Sequence, residues 1–520
     1  MNHKDERSVV SKYPREETPV LYLHPAKQGV DYKPDANMGR FYGLMPVGIA
    51  GLVNVLRENG IPVRGVNYPQ ERQRDKNFNL RSWLESRQGV RVILIDLHWY
   101  EHSYGAINIA QLCKQVLPWA WIVLGGLTAS GFAREILERF PEIDFIIRGD
   151  AEKPLLELVQ CLLSAVSHSI AQLRLGDIPN LSYRSEDGIL ENSLSYTATP
   201  QELDTLNFAD IDFMDHYAEY NVSEYVVLDA EKALNALQTN PFKGRWLTSA
   251  RGCRYQCSYC GGTKDAHKRL AGRTGLVSRS PHKLVDDLRK LTQAGVIQAS
   301  MSFDLAEIGA DYWREFFSLL RGSGLKISIY NEFFQLPESA FIDEFAKSVD
   351  LSHACVVLSP LSGNEKVRRL NGKHFSNSAL FDTLEYLSRY NIYLLVYFSL
   401  NLPGETEETF KETLNLAKEI YEFYPPAALR ILNTVHTIDP FSPMNLFPDK
   451  YEIISSMNSF MDFYTYCRET QFNNPAARTE LNRGFKLKDL DARSLERMAD
   501  AWDELRVGKE ANLWPIPPSW

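Results

Sequence analysis

The sequence predicts an α/β protein: a doubly wound parallel sheet, then an incomplete β/α barrel, then a helical C-terminal region. Three observations predict this. Short apolar runs alternate with helical stretches through the first ~165 residues. A second set of six such runs begins at Trp246, and the last ~80 residues read as helical.

In the first alternation, Val20–Leu23 reads as a strand and Val47–Glu58 as a helix stopped by Gly60 and Pro62. Val63–Val66 is the next strand, followed by a polar helical stretch around Leu80–Arg87. Arg91-Val92-Ile93-Leu94-Ile95-Asp96 is a continuous apolar run, the pattern of a parallel strand buried on both faces. Ala106–Gln115 (helix), Trp121–Leu124 (strand), Phe132–Arg139 (helix), Phe145–Ile147 (strand) and Lys153–Leu163 (helix) complete the set. Five short parallel strands with helices on both faces make residues 18–165 a Rossmann-like domain, whose ligands belong at the carboxyl ends of the strands. Residues 166–240 read as an irregular connector, with strand and turn pieces at Pro179–Tyr183 and Leu203–Leu206.

In the second alternation the strand candidates are Trp246–Ser249, Ala299–Phe303, Lys326–Tyr330, Ala354–Leu358, Tyr393–Leu400 and Leu429–Val435. Helical stretches lie between them, one opened by the N-cap pair Ser280-Pro281. Six βα units over 241–440 fit a partial (β/α)6 TIM-like barrel, with its active site at the C-terminal strand ends. Residues 441–520, with Ile453–Cys467 and Leu487–Val507, read as helices that cap it.

Composition excludes several classes. The chain has 520 residues, enough for about three domains, and its 44% hydrophobic content excludes a disordered chain. A net charge of −9 gives no reason to expect nucleic acid as a partner. The most apolar stretch, Ile392–Leu400, is about half of what a membrane-spanning helix needs. Met1–Glu17 lacks the apolar core of a secretory signal and reads as a frayed tail. Seven cysteines, three of them clustered, fit a reducing cytoplasm better than a disulfide framework.

Those three are the sharpest feature. Cys253, Cys257 and Cys260 are spaced C-x3-C-x2-C, directly after the first barrel strand, with no nearby fourth Cys or His. Structural zinc sites complete four protein ligands, and most [4Fe–4S] clusters take four thiolates. Three thiols therefore suggest a cubane with one iron left open. With Tyr259 before the last cysteine, the motif resembles that of radical S-adenosylmethionine (SAM) enzymes. In that family the open iron chelates SAM, and one electron cleaves it to methionine and a 5′-deoxyadenosyl radical. The resemblance implies SAM contacts at Tyr259 and Gly261, and at later strand ends: Asp304, Asn331-Glu332, Ser359-Pro360-Leu361-Ser362 and Leu402-Pro403-Gly404-Glu405. Leu361 stands where the family usually carries glutamate. Each strand end taken alone is equally an ordinary loop or helix cap; spaced one per βα unit, they exceed what capping explains. The resemblance also implies an external one-electron reductant of flavodoxin or ferredoxin type.

The first domain adds a second resemblance. Gly125-Gly126-Leu127-Thr128 follows a strand, Arg148-Gly149-Asp150-Ala151-Glu152 follows the next, and Met45-Pro46-Val47-Gly48 opens a helix. In this order, ahead of the cysteine motif, they are similar to the cobalamin-binding domain of cobalamin-dependent radical SAM enzymes. The resemblance implies cobalamin contacts at Pro46, Val47, Gly48, Asp96, His98, His102, Gly125, Gly126, Thr128, Gly149 and Glu152. The D-x-H-x-x-G motif of many cobalamin proteins is split here. Asp96 and His98 match its first half, His102 and Gly105 its second. A cobalt-ligating histidine and a plain loop histidine both stay open. Cys113, Cys161, Cys355 and Cys467 read as buried thiols, and Phe460, Phe463, Tyr464 and Tyr466 as packing residues.

Together these imply methylation of an unactivated carbon in a small molecule or peptide, through methylcobalamin and the 5′-deoxyadenosyl radical. Oxidative cyclisation or ring rearrangement with the same cofactors is the alternative within enzymes. A non-catalytic iron–sulfur or cobalamin carrier is the alternative outside them.

Overall fold

The computed structural model describes residues 18–32, 44–165, 174–219, 244–472 and 484–506. The expected tail before residue 18 and both ends of the connector (166–173 and 220–243) lie outside the described residues.

The first sheet contains β1 (Val20–His24), β2 (Val63–Asn67), β3 (Val92–Asp96), β4 (Trp121–Gly125), β5 (Phe145–Ile147), β6 (Leu181–Ser185) and β7 (Gly188–Glu191). Their order is β2-β1-β3-β4-β5-β6-β7. The first five are parallel, and β6 and β7 add an antiparallel hairpin at the edge. Alternating side chains go to opposite faces. Val20, Tyr22, Val92, Leu94 and Val123 share one core with the helices Gly48–Glu58 and Glu152–Ser164. Leu21, Leu23, Ile93, Ile95 and Leu124 share the other with Ser103–Val116 and Ala133–Arg139. Period-two burial on both faces is what the unbroken apolar runs require. The strand order reverses between β1 and β3, which marks the ligand-binding end of such a sheet. The connector departs from expectation, because its Pro179–Tyr183 piece pairs with β5 and extends this sheet.

The chain continues with β8 (Gly244–Leu247), β9 (Ala250–Arg251), β10 (Val277–Ser278), β11 (Gln298–Met301), β12 (Ser328–Phe333), β13 (Cys355–Leu361), β14 (Tyr393–Leu400) and β15 (Leu429–Val435). β8, β11, β12, β13, β14 and β15 form a parallel sheet in chain order, with helices between them, and no ladder joins β15 back to β8. β9 and β10 form a separate antiparallel clip at the base of the cysteine loop.

The C-terminal region differs from the helical expectation. Ile453–Ser455 (β16) and Phe485–Leu487 (β17) pair antiparallel; the helices are Phe460–Glu469 and Ala492–Arg506. A β-branched pair at Ile453-Ile454 with a distant partner strand overrides the local helical signal. Phe460–Glu469 also reaches beyond the barrel. Its Phe463 packs on Tyr100 at 5.1 Å and its Tyr464 on Phe140 at 5.4 Å, both in the N-terminal domain. Trp502 packs on Phe398 of β14 at 5.8 Å. No described helix is long and apolar enough to cross a membrane.

Candidate active site

The cysteine loop leaves β9 and carries three free, half-buried thiols. The Tyr255 N–H donates to Cys253 Sγ at 3.4 Å and the Gly262 N–H to Cys260 Sγ at 3.3 Å. Burial raises all three thiols above their ordinary range; the Lys373 ammonium opposes this at Cys253 and Cys257, while Asp439 reinforces it at Cys260. Among the described residues no three His, Cys, Asp or Glu side chains converge on a single ion. In an iron–sulfur cluster each iron takes its own thiolate, and N–H···S bonds of this kind are a lever on its potential.

Partners from distant strands hold the loop. The Gly261 N–H donates to Asp439 Oδ2 at 3.0 Å, and burial pushes the Asp439 carboxyl up to about 6. Tyr259 packs on Leu361, Val367 and Leu402 and meets His436 edge-on at 4.2 Å. The Ser258 hydroxyl donates to Asn371, whose Nδ2 donates to Pro403 O at 3.0 Å. Lys373, unremarked in the sequence, is buried, donates from Nζ to Phe334 O at 2.7 Å, and faces Cys257, Asp304 and Glu332 electrostatically. It lies more than a hundred positions from the cysteines, so no local pattern exposes it.

The expected SAM contacts divide. Glu332, at the end of β12, accepts from Tyr330 at 2.5 Å and lies within reach of Lys373. Pro403 is tied to the cysteine loop through Asn371, Gly404 is exposed and Ser359 half-buried. Asp304 and Ser362 are committed to the protein itself. Asp304 accepts from the N–H groups of Ala306 at 2.9 Å and Phe334 at 2.8 Å and from Asn331 at 3.2 Å, and burial pushes it up to about 7. Ser362 is fully buried against Thr413 at 3.3 Å. Asp304 thereby N-caps the helical turn Leu305–Ile308, and the Ser362 hydroxyl also accepts from the Asn364 N–H at 3.2 Å.

Above the loop lies a cavity of about 470 Å³. Tyr22 of β1 and the carboxyl ends of β3, β4 and β5 wall one side; Trp246, Thr248, Arg251, Ser302 and Phe303 wall the other. Nine of the eleven expected cobalamin contacts line it: Pro46, Val47, Gly48, Asp96, His98, Gly125, Gly126, Gly149 and Glu152. His102 and Thr128 do not line it. His102 is buried edge-on to His24 at 5.1 Å, and the Thr128 hydroxyl donates to His98 O at 2.9 Å. Asp96 accepts from Tyr22 at 2.7 Å and pairs with His24 at 2.9 Å; although burial opposes ionisation, His24 holds its carboxyl below the usual range.

The four glycines that line the cavity are packed differently. Gly126, at φ 115°, has no room for a side chain because Leu97 O lies 2.6 Å from where its Cβ would stand. Its smallness is already required by the protein's own loop. Gly149, at φ 66°, is pressed in the same way by Ala271 at 2.6 Å. Gly125 and Gly48 are the open ones: a Cβ would meet only Ile147 O at 3.9 Å at the first and nothing within 4 Å at the second. An apolar, glycine-floored recess at the strand ends of a doubly wound sheet fits a large flat cofactor.

Sequence reasoning missed two further features. His267, on the helix Lys264–Ala271 that follows the cysteine loop, enters the cavity wall opposite His98; burial, with Arg273, lowers it to about 4. The 148–152 loop also ties the domains together. Asp150 pairs with Arg273 and, at 3.5 Å, with Arg251; Glu152 pairs with Arg251 at 2.6 Å. Arg251 lies two residues before Cys253.

Residues 247–417 match the radical SAM superfamily. The chain is 23% identical over 386 residues to an anaerobic magnesium-protoporphyrin IX monomethyl ester cyclase of Cereibacter sphaeroides, covering 72% of this chain and 55% of that protein. It is 22% identical over 319 residues to an uncharacterised methyltransferase of Pyrococcus horikoshii, covering 61% of this chain and 62% of that protein. The chain thus spans little more than half the length of these curated relatives. In structure it is similar to TsrM of Kitasatospora setae, a radical SAM methyltransferase solved with cobalamin and a [4Fe–4S] cluster bound. The TM-score is 0.62 at 14% identity, over 96% of this chain and 89% of that one. Residues 247–417 therefore form a radical SAM domain, and the fold of the chain as a whole is similar to that of TsrM.

Proposed function

We propose that the chain is a cobalamin-dependent radical SAM enzyme that methylates an unactivated carbon of a small-molecule or peptide substrate. One observation carries the reading: a single cavity is walled on one side by strand ends of the doubly wound sheet and on the other by residues flanking the cysteine loop. When bound, the cluster supplies the electron that cleaves SAM and cobalamin supplies the methyl carrier. Cys253, Cys257 and Cys260 would hold the cluster. Glu332, Ser359, Pro403 and Gly404 are the strand-end positions left for SAM, beside Tyr259 and Gly261. Gly48 and Gly125 give backbone access to the corrin, and the six parallel strands serve as the partial barrel. The apolar wall, with Leu94, Val123, Phe303 and Trp246, excludes water from the space where a carbon radical must survive.

The test uses anaerobically reconstituted protein with cobalamin, SAM and a reductant. Methylation predicts release of S-adenosylhomocysteine before any organic substrate is added, and equal amounts of it and 5′-deoxyadenosine during turnover. The cyclase relatives favour a second reading, radical cyclisation without methyl transfer. In that case 5′-deoxyadenosine tracks product one to one and no S-adenosylhomocysteine forms.

A further inference from the structure

The segment that follows β15 holds the cysteine loop at two points. Asp439 accepts the Gly261 N–H at 3.0 Å, and the Met444 N–H donates to Ser258 O at 2.8 Å. Between those two anchors stands Phe441, at φ 64°. A bulky residue adopts that left-handed backbone only where its surroundings force it. Here the turn is fixed by the Phe441 N–H, which donates to Asn445 Oδ1 at 3.0 Å.

The Phe441 ring crosses into the other domain. It is buried, packs on Phe132 at 4.8 Å, and lies 5.5 Å from the guanidinium of Arg269, on the helix that follows the cysteine loop. It also occupies the space a side chain at position 131 would need, since a Cβ on Gly131 would overlap the ring. Gly131 ends the short helix Leu127–Gly131, which holds part of the first-domain wall of the cavity. The Thr128 N–H and hydroxyl donate to His98 O at 3.2 Å and 2.9 Å. The Ser130 hydroxyl donates to Gly126 O at 2.7 Å and accepts from the Gly149 N–H at 2.9 Å. His98, Gly126 and Gly149 all line the cavity. One ring therefore joins the clamp on the cysteine loop to the helix that carries three cavity residues. Close packing gives such a wedge a single seat, because moving it opens a void on one side or a clash on the other.

We propose that Phe441 is a positioning residue: seated in the notch at Gly131, it sets the separation between the cysteine loop and the first-domain wall of the cavity. The proposal rests on the two-cofactor reading, in which a methyl group passes between groups held on the two sides. A misplacement of about 1 Å across that gap costs about a hundredfold in rate.

The experiment compares the unsubstituted protein with Phe441→Gly, which keeps the left-handed turn and removes the ring. SAM is added without organic substrate to the holoprotein carrying reduced cobalamin, and methylcobalamin is followed by its visible absorbance. At saturating SAM, Phe441→Gly should form it about a hundredfold more slowly, with the dissociation constants of SAM and cobalamin unchanged. Phe441→Leu, which refills the notch, should restore most of the rate. An unchanged rate in Phe441→Gly would overturn the proposal, as would a loss traced to weaker binding of either cofactor. Cofactor-free protein gives an independent reading through amide hydrogen exchange. Phe441→Gly should speed exchange about tenfold in residues 128–132 and 258–262 together, while β3 and β13 keep their rates. Uniform acceleration across the protein would mean general packing and would also overturn the proposal. If Phe441→Gly does not fold, Gly131→Ala, which pushes the ring from its notch, is read by the same two measurements. If the unsubstituted protein forms no methylcobalamin, the methyl-transfer reading fails, and the exchange result alone decides whether Phe441 couples the two walls.

Discussion

Gly125 and Gly126 are neighbours that are glycine for opposite reasons. Gly126 is forced by its own chain, since a side chain there would collide with Leu97 O in a backbone conformation few residues tolerate. Gly125 is free of the protein and faces the cavity. Gly125→Leu is therefore expected to abolish cobalamin binding while leaving the melting temperature of the cofactor-free protein unchanged. Gly126→Ala is expected to destabilise the fold by about 1–3 kcal/mol, read as a lower urea midpoint. The opposite pattern would return the cofactor-contact role to Gly126. The paired glycines are legible in the sequence; which one the protein's own packing forces is not, because that depends on Leu97 and His98 on a preceding loop. The same limit separates the cysteines from Lys373 and His267. Local spacing displays the first set, whereas the others reach the site only through the fold. For His98 and His267, which face one cavity, the discriminating measurement is the electron paramagnetic resonance spectrum of bound cob(II)alamin. Loss of a nitrogen splitting in His98→Ala or His267→Ala names the ligand; an unchanged spectrum in both leaves the cobalt without either.

At the scale of elements, the parallel strands were the legible part, since each is a short apolar run between turn signals and is buried on both faces. The failures share a cause. From sequence β6 reads as connector and β16 as helix, because each pairs with a strand whose identity only the tertiary structure supplies. The 148–152 loop reads in sequence as a cofactor contact, and its carboxylates also hold the arginines that flank the cysteine loop. Arg273 and Asp150 are both buried, so removing Arg273 leaves the Asp150 carboxylate to the longer Arg251 contact at 3.5 Å. Arg273→Met should cost about 3–5 kcal/mol, whereas Arg273→Met with Asp150→Asn should recover part of that loss. A double variant no more stable than the single would mean the pair contributes little. If the link also sets the site, the single variant should lose affinity for cobalamin beyond its loss of stability.

For the whole molecule, buried ionisable groups set how stability responds to pH before any cofactor is bound. Glu405 accepts from the N–H groups of Asn401 at 2.8 Å and Leu402 at 3.3 Å, yet burial pushes its carboxyl up to about 8. The unfolded chain releases that proton near the ordinary carboxylate value, so the fold holds it over the window between. This contribution is complete at low pH and is lost as pH rises through about 8. Glu405→Gln should flatten the fall in urea midpoint between about pH 5 and about pH 8; an unchanged slope would remove Glu405 as its source. His267 works in the other direction. Lowered to about 4, it keeps its neutral form in the fold, and its contribution is lost as pH falls from the ordinary histidine range toward that value. Its place in the wall opposite His98 ties this titration to the cavity, and the cavity to both domains. A ligand that touches both walls must stabilise both. Cobalamin at about a hundred times its dissociation constant adds about 2.7 kcal/mol to whatever unit binds it. Amide hydrogen exchange should therefore slow together in the strand ends of β3 and β4 and in Thr248–Gly252 when cobalamin is added. Protection confined to the first sheet would make the N-terminal domain the sole cofactor holder, with the radical SAM domain merely resting against it.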